Sequence, residues 1–216
     1  MHLPLLALLS NVLAPGLSPT LVVQNGQQKL GDRRVTVELG VMSRCPDALL
    51  CESVFNEVLP KVADKVDLSL LYIGKPNSTD QDFGITCLHG PEECAGNVQQ
   101  LCVAKYAPSS TWWEFVQCQN YEGRYRVGSP DLALKCAEAV GIDWVQGGAG
   151  QCAGLDGSGK GEEGVRLLRE SVESTQTRGI VRSCTVLIQG QQVCIHDGTW
   201  KSCEINEEYE RLNVDA

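Results

Sequence analysis

The sequence predicts a mixed α/β domain: a strand–helix–strand unit, a helical segment held by cysteines, and a closing β-hairpin. Three observations predict it. Val35, Val37, Leu39 and Val41, and again Val66, Leu68, Leu70 and Tyr72, alternate with a period of two, the mark of a strand with one distinct face. Between these runs Leu50, Val54, Phe55, Val58 and Leu59 recur at helical spacing. Single cysteines are then scattered through segments punctuated by Pro and Gly, until a second pair of short β-type runs near the C-terminus.

The elements follow in order. The strand over 35–41 runs into Cys45-Pro46, and proline suits the first helical position because its missing N–H costs nothing there. A helix is predicted over 46–59, stopped by Pro60, and a second strand over 66–73. Short connections make this a right-handed unit with parallel strands. Pro91-Glu92-Glu93 starts a helix on which Cys94, Val98, Leu101 and Cys102 share a face. Thr111-Trp112-Trp113-Glu114 has the form of a capping box opening the next helix, which carries Cys118. One of the two indole rings is expected in the core and the other partly exposed, because adjacent helical residues face different ways.

Ser129-Pro130-Asp131 opens a further helix, carrying Cys136 and closed by Gly141. Residues from about 87 to 152 thus read as a helical, cysteine-stapled insertion. A glycine-rich link from Gly147 to Gly161 follows; its Gly159-Lys160 lacks the hydroxyl residue and the buried strand of a phosphate loop. The next helix turns Val165, Leu168 and Val172 inward. Cys184–Ile188 and Gln192–Ile195 form a hairpin about Gln189-Gly190, and a short acidic helix is expected from Glu204. This is the order of a thioredoxin-like fold with a helical, disulfide-rich insertion between its second and third strands, occupying about 35–213.

Composition narrows the function. A formal charge of −9 on 216 residues argues against nucleic acid and anionic membrane surfaces as partners. Eleven cysteines are too many for a reducing cytosol unless they bind metal, and no paired short spacings of metal-site type occur. Cys87, His89 and Cys94 lack a second half-site, so neither a metal nor another cofactor is expected. Leu3 to Ala14 is an apolar run of signal-peptide length, and residues 1–20 are expected to be a signal peptide and leader. No other segment is long and apolar enough to span a membrane. Asn77-Ser78-Thr79 is a glycosylation acceptor in a polar loop, as suits a secreted or lysosomal protein.

Chemistry converges on Cys45. It falls where the first strand meets the first helix, where free N–H groups and the helix dipole favour a thiolate. A redox pair would need a second cysteine three residues on, but position 48 is alanine. Cys51 is six residues away, a rise of about 9 Å in a helix, whereas a disulfide needs Cα atoms within roughly 7 Å. The two can bridge only if Cys45 lies on the bend before the helix. Such a staple would leave an inert secreted glycoprotein that uses its fold for binding. Cys184, on the loop entering the third strand, can approach Cys45 and resolve it, or form a cross-strand bridge to Cys194.

Cys87-Leu-His-Gly-Pro-Glu-Glu-Cys94-Ala-Gly-Asn97, with Cys102, resembles the Cys-Gln-His-Gly-x-x-Glu-Cys signature of the gamma-interferon-inducible lysosomal thiol reductase family. The spacing of Cys118, Cys136 and Cys152 and the Gly-rich approach to the 162–176 helix are similar too, so the resemblance covers roughly 35 to 190. It implies a secreted or lysosomal reductase of disulfides in proteins or small thiols, working at acidic pH through a Cys-x-x-Cys pair. On that pattern Cys45 matches the attacking cysteine and Ala48 replaces the resolving one. The family's proline before the third strand is replaced by Ser183 or Cys184. The catalytic candidates are therefore Cys45, Cys51 and Cys184. Cys87, Cys94, Cys102, Cys118, Cys136, Cys152, Cys194 and Cys203 are candidates for structural disulfides.

Overall fold

A computed structural model of the chain describes residues 34–203; the expected leader and the acidic tail helix lie outside them. Strand β1 (Val35–Val41) leads into helix α1 (Pro46–Val62) and strand β2 (Val66–Tyr72). A two-residue ladder of β3 (Lys75–Pro76) and β4 (Ile85–Thr86) precedes the helices α2 (Pro91–Tyr106), α3 (Ser109–Tyr121), α4 (Pro130–Ala139), α5 (Ala149–Ala153) and α6 (Glu162–Thr177). Strands β5 (Thr185–Ile188), β6 (Gln191–Asp197) and β7 (Thr199–Lys201) close the fold. The sheet order is β2-β1-β5-β6-β7. β1 runs parallel to β2, with Leu39 opposite Leu70, and antiparallel to β5, with Leu39 opposite Val186.

The alternation in the sequence sorts onto two sheet faces. Val37, Leu39, Val41, Leu70, Tyr72 and Val186 meet the helices in the main core. Leu187, with Ile73 and Ile180, forms a small second cluster. The β5–β6 turn is Gln189-Gly190, both at positive φ (50° and 79°), the geometry that matches the twist of a tight hairpin. Helix α6 is fastened to β2 through side chains: Ser171 Oγ accepts from Tyr72 N–H at 2.8 Å, and Thr175 Oγ1 donates to Tyr72 O at 3.2 Å.

Four expectations are corrected. α1 continues through Pro60 to Val62, because a proline in the last turn removes one bond without breaking the helix. Its inward face is Ala48, Cys51 and Glu52 with Phe55 and Leu59, while Leu50, Val54 and Val58 are exposed. α3 starts before the Thr111 box, because Pro108 O already accepts from Trp112 N–H. Both Trp112 and Trp113 are buried, edge to face with ring centroids 5.8 Å apart. Beyond these corrections, the turn at Gly198 adds β7, a strand the sequence pattern does not announce.

Candidate active site

Cys45 is the N-cap of α1, with Pro46 at the first helical position. Its N–H donates to Met42 O at 2.8 Å and its carbonyl accepts from Leu49 N–H at 3.2 Å, so its backbone is held from both sides. The thiol donates to Ser183 O across 3.6 Å, and Ser183 Oγ accepts from Met42 N–H at 2.9 Å. The corner entering β5 is thereby latched onto the loop that presents the sulfur. Cys45 keeps 8% of its surface exposed, whereas Ala48, at the place of a second redox cysteine, keeps none.

The cysteines sort themselves around this point. Ten of the eleven form the disulfides Cys51–Cys184, Cys87–Cys94, Cys102–Cys152, Cys118–Cys136 and Cys194–Cys203, and Cys45 is free. The considered Cys45–Cys51 staple is absent. Cys45 caps the tip of α1, while Cys51 sits on its inward face and meets Cys184 with Cα atoms 6.3 Å apart. The considered Cys184–Cys194 bridge is absent as well. A bulge between Val186 and Leu187 shifts the register, so Val186 faces Cys194 and Cys184 exchanges backbone hydrogen bonds with His196. Cys194 reaches Cys203 instead, at a Cα separation of 4.2 Å. Cys184 thus stands beside Cys45 through its backbone, with its sulfur engaged by Cys51.

The motif at the start of α2 explains what its polar residues do. Glu93 is fully buried. Its Oε2 accepts from Arg44 N–H at 3.1 Å and from His89 Nδ1 at 2.5 Å, and its Oε1 accepts from His89 N–H at 3.2 Å. Asn97 Oδ1 accepts from Ser43 N–H at 3.3 Å, and Ser43 Oγ donates to Glu93 O. Glu93 and Asn97 therefore satisfy the two loop amides immediately before Cys45. Gly96 permits the approach, since a Cβ there would lie 2.9 Å from Ser43 Oγ. The Arg44 guanidinium is spent on Val127 O (2.8 Å), Tyr125 O (3.0 Å) and Glu92 (3.5 Å). Cys87 and Cys94 are joined to each other at the edges of this cluster, with His89 turned to Glu93.

Three further residues shape the surroundings of α1, and of these Glu52 was not singled out in the sequence. Asp47, in the first turn of α1, accepts from His196 Nδ1 and from Gly198 N–H, both at 2.7 Å. His196 is buried, with Trp200 edge-on at 4.9 Å. Glu52 is also buried, on the inward face of α1, where its Oε2 accepts from Asn120 Nδ2 at 2.5 Å. Burial pushes its carboxyl up to about 7, against the weaker opposing effect of the Asn120 bond. Burial, helped by the nearby Glu52, also holds the Tyr72 phenol well above its usual range. Reading Leu50, Val54 and Val58 as the inward stripe hid Glu52. Its place about two helical turns beyond Cys45 on the same face was the signal that could have found it.

The order of elements and the site define a thioredoxin-like protein whose first helix carries a free cysteine at its tip. The family model described as gamma interferon inducible lysosomal thiol reductase matches residues 36–140. The chain belongs to that family, as a divergent member that lacks the Cys-x-x-Cys spacing, Ala48 standing three residues after Cys45. It is 27% identical over 157 residues to GILT-like protein 1 of Drosophila melanogaster, covering 66% of this chain and 60% of that protein. It is 28% identical over 129 residues to a gamma-interferon-inducible lysosomal thiol reductase-like protein of Anopheles gambiae, covering 52% of each. The chain thus spans between half and two thirds of the length of these relatives. Among solved structures it is similar to the MdbA protein, a thiol-disulfide oxidoreductase from Corynebacterium diphtheriae. The TM-score there is 0.54 at 15% identity, covering 76% of this chain and 80% of that one.

Proposed function

We propose that this chain is a thiol–disulfide oxidoreductase that acts through Cys45 in the secretory or lysosomal pathway. The observation that carries the reading is the position of its one free cysteine, at the N-terminus of α1 behind a loop whose Ser43 and Arg44 amides are both engaged. A thiolate forming there meets the positive end of the helix dipole. It attacks one sulfur of a substrate disulfide; the Cys45–sulfur bond forms as the substrate S–S bond breaks, and the other sulfur leaves as a thiolate. A thiol then attacks Cys45 Sγ and releases the substrate as its second thiolate. A further thiol displaces the first from Cys45, forming a disulfide between the two and returning the Cys45 thiolate. Ala48 has no sulfur to do this, so in the simplest cycle both are low-molecular-weight thiols from solution.

The surroundings suit a polypeptide substrate. Leu88, Tyr125, Val181 and Trp200 are exposed apolar residues. Tyr125 O accepts from the Arg44 side chain, and Val181 lies two residues from Ser183. Leu88 adjoins His89, which bonds Glu93, and Trp200 packs edge-on against His196. Five disulfides support an oxidising compartment. Asn77 is the proposed glycan attachment point. Its Nδ2 gives one hydrogen to Thr86 Oγ1, which leaves the other for a sugar. The test is reduction of a single-disulfide peptide by the wild type and by Cys45→Ser. Loss of all peptide reduction in the variant supports the reading, and equal activity in both overturns it.

A further inference from the structure

From the disposition of Cys45 at the tip of α1, Cys51 on its inward face and Cys184 at the corner entering β5, we infer that Cys51–Cys184 is the second redox couple of the site and takes the place of the missing cysteine at position 48. This rests on the reading of Cys45 as nucleophile. The carbonyl that accepts from the Cys45 thiol is Ser183 O, the other end of the peptide bond to Cys184, so the Cys45 sulfur is held against the corner that carries the Cys184 sulfur. That corner is fixed to the Cys45 loop a second time by Met42 N–H to Ser183 Oγ. Cys51 and Cys184 are fully buried, while Cys45 is not. Substrate can meet only Cys45, and the Cys184 sulfur is reached from inside the molecule. Of the five disulfides, this is the one that ties α1 to the strand beside it, spanning 133 positions of sequence.

The steps balance. With Cys45, Cys51 and Cys184 as thiols, the Cys45 thiolate attacks the substrate disulfide and the first substrate thiolate leaves. The Cys184 thiolate then attacks Cys45 Sγ; a Cys45–Cys184 bond forms and the second substrate thiolate leaves. The Cys51 thiolate attacks Cys184 Sγ, which forms Cys51–Cys184 and returns Cys45 as a thiolate. Two electrons have passed from Cys51 and Cys184 to the substrate, and the product is the arrangement seen here. Reset runs back through Cys45. Its thiolate attacks Cys184 Sγ and frees the Cys51 thiolate, and a low-molecular-weight thiol attacks Cys45 Sγ and frees Cys184. A second one displaces the first as a small disulfide, leaving Cys45 a thiolate.

The test maps bonds by alkylation and mass spectrometry. The full-length wild type, Cys51→Ser and Cys184→Ser are treated with limiting dithiothreitol, separated from it, and mixed with one equivalent of a single-disulfide peptide. The wild type is expected to release both peptide thiols and end with Cys51–Cys184 and an alkylatable Cys45. Cys51→Ser is expected to end with Cys45–Cys184 and neither sulfur alkylatable. Cys184→Ser is expected to stop at a Cys45–peptide adduct. If the wild type also stops at that adduct, or Cys51→Ser leaves Cys45 and Cys184 both alkylatable, the couple is overturned and Cys45 remains the nucleophile. If no adduct forms at Cys45 in any protein, both readings fall. The wild-type measurement stands alone should Cys184→Ser not fold.

Discussion

Asp47 and His196, 149 positions apart in the sequence, meet in a 2.7 Å hydrogen bond that joins the first turn of α1 to β6. The same carboxylate oxygen accepts from Gly198 N–H, so the turn between β6 and β7 is clamped to the helix that carries Cys45. Without these partners a carboxylate in the first helical turn sets an uncompensated negative charge beside the sulfur that must become negative.

His196→Ala should therefore slow alkylation of Cys45 by roughly 3–10-fold near pH 6, the effect of about 1 kcal/mol of unfavourable charge. Adding Asp47→Asn to that variant should restore the rate, because the uncompensated charge is gone. A double variant as slow as the single one would show that the histidine acts by packing alone.

Glu93 is expected to be structural support for the nucleophile loop. Glu93→Ala strands the amides of Arg44 and His89 in a buried site, a cost of roughly 2–4 kcal/mol. Thermal unfolding should shift down by roughly 5–15 °C for a domain of this size. A melting curve unchanged within a degree or so would contradict the assignment.

Glu52 makes stability depend on pH. Its carboxyl is raised to about 7 in the fold from an ordinary 4.5. Between these values the folded chain holds a proton that the unfolded chain has released, so stability falls as pH rises through that window. It is fully present below about 4.5 and levels off above about 7. The shift corresponds to a loss of about 3 kcal/mol. Glu52→Gln should flatten the denaturation midpoint across this range; an unchanged slope would locate the dependence elsewhere.

Ala48→Cys rebuilds the Cys-x-x-Cys pair. The oxidised variant should contain a bond between Cys45 and the introduced cysteine and no alkylatable thiol, and should turn over without an added thiol in the resolving step. A variant whose Cys45 remains as alkylatable as in the wild type would mean that α1 holds the two positions apart.

Much of the fold was legible because it rests on period. Val35–Val41 and Val66–Tyr72 announce one-faced strands, and Gln189-Gly190 announces its turn. The tip of α1 was legible too, since Cys45-Pro46 marks a helix start. The pairing of Cys184 was not. It depends on a bulge at Val186/Leu187 and on which face of α1 turns inward, and neither leaves a local mark. The apolar Leu50, Val54 and Val58 suggested one face, whereas packing chose the face with Ala48, Cys51 and a buried acid. Long-range contacts such as Asp47–His196 have no spacing to read.

The most direct measurement of the central claim is the intact mass of the native protein after brief exposure to an activated aromatic disulfide at acidic pH, followed by peptide mapping. A single adduct is expected, located on Cys45, which then disappears on addition of a small thiol; Cys45→Ser should acquire none. A native protein that takes up no adduct at Cys45, or one labelled equally well in Cys45→Ser, would contradict the account.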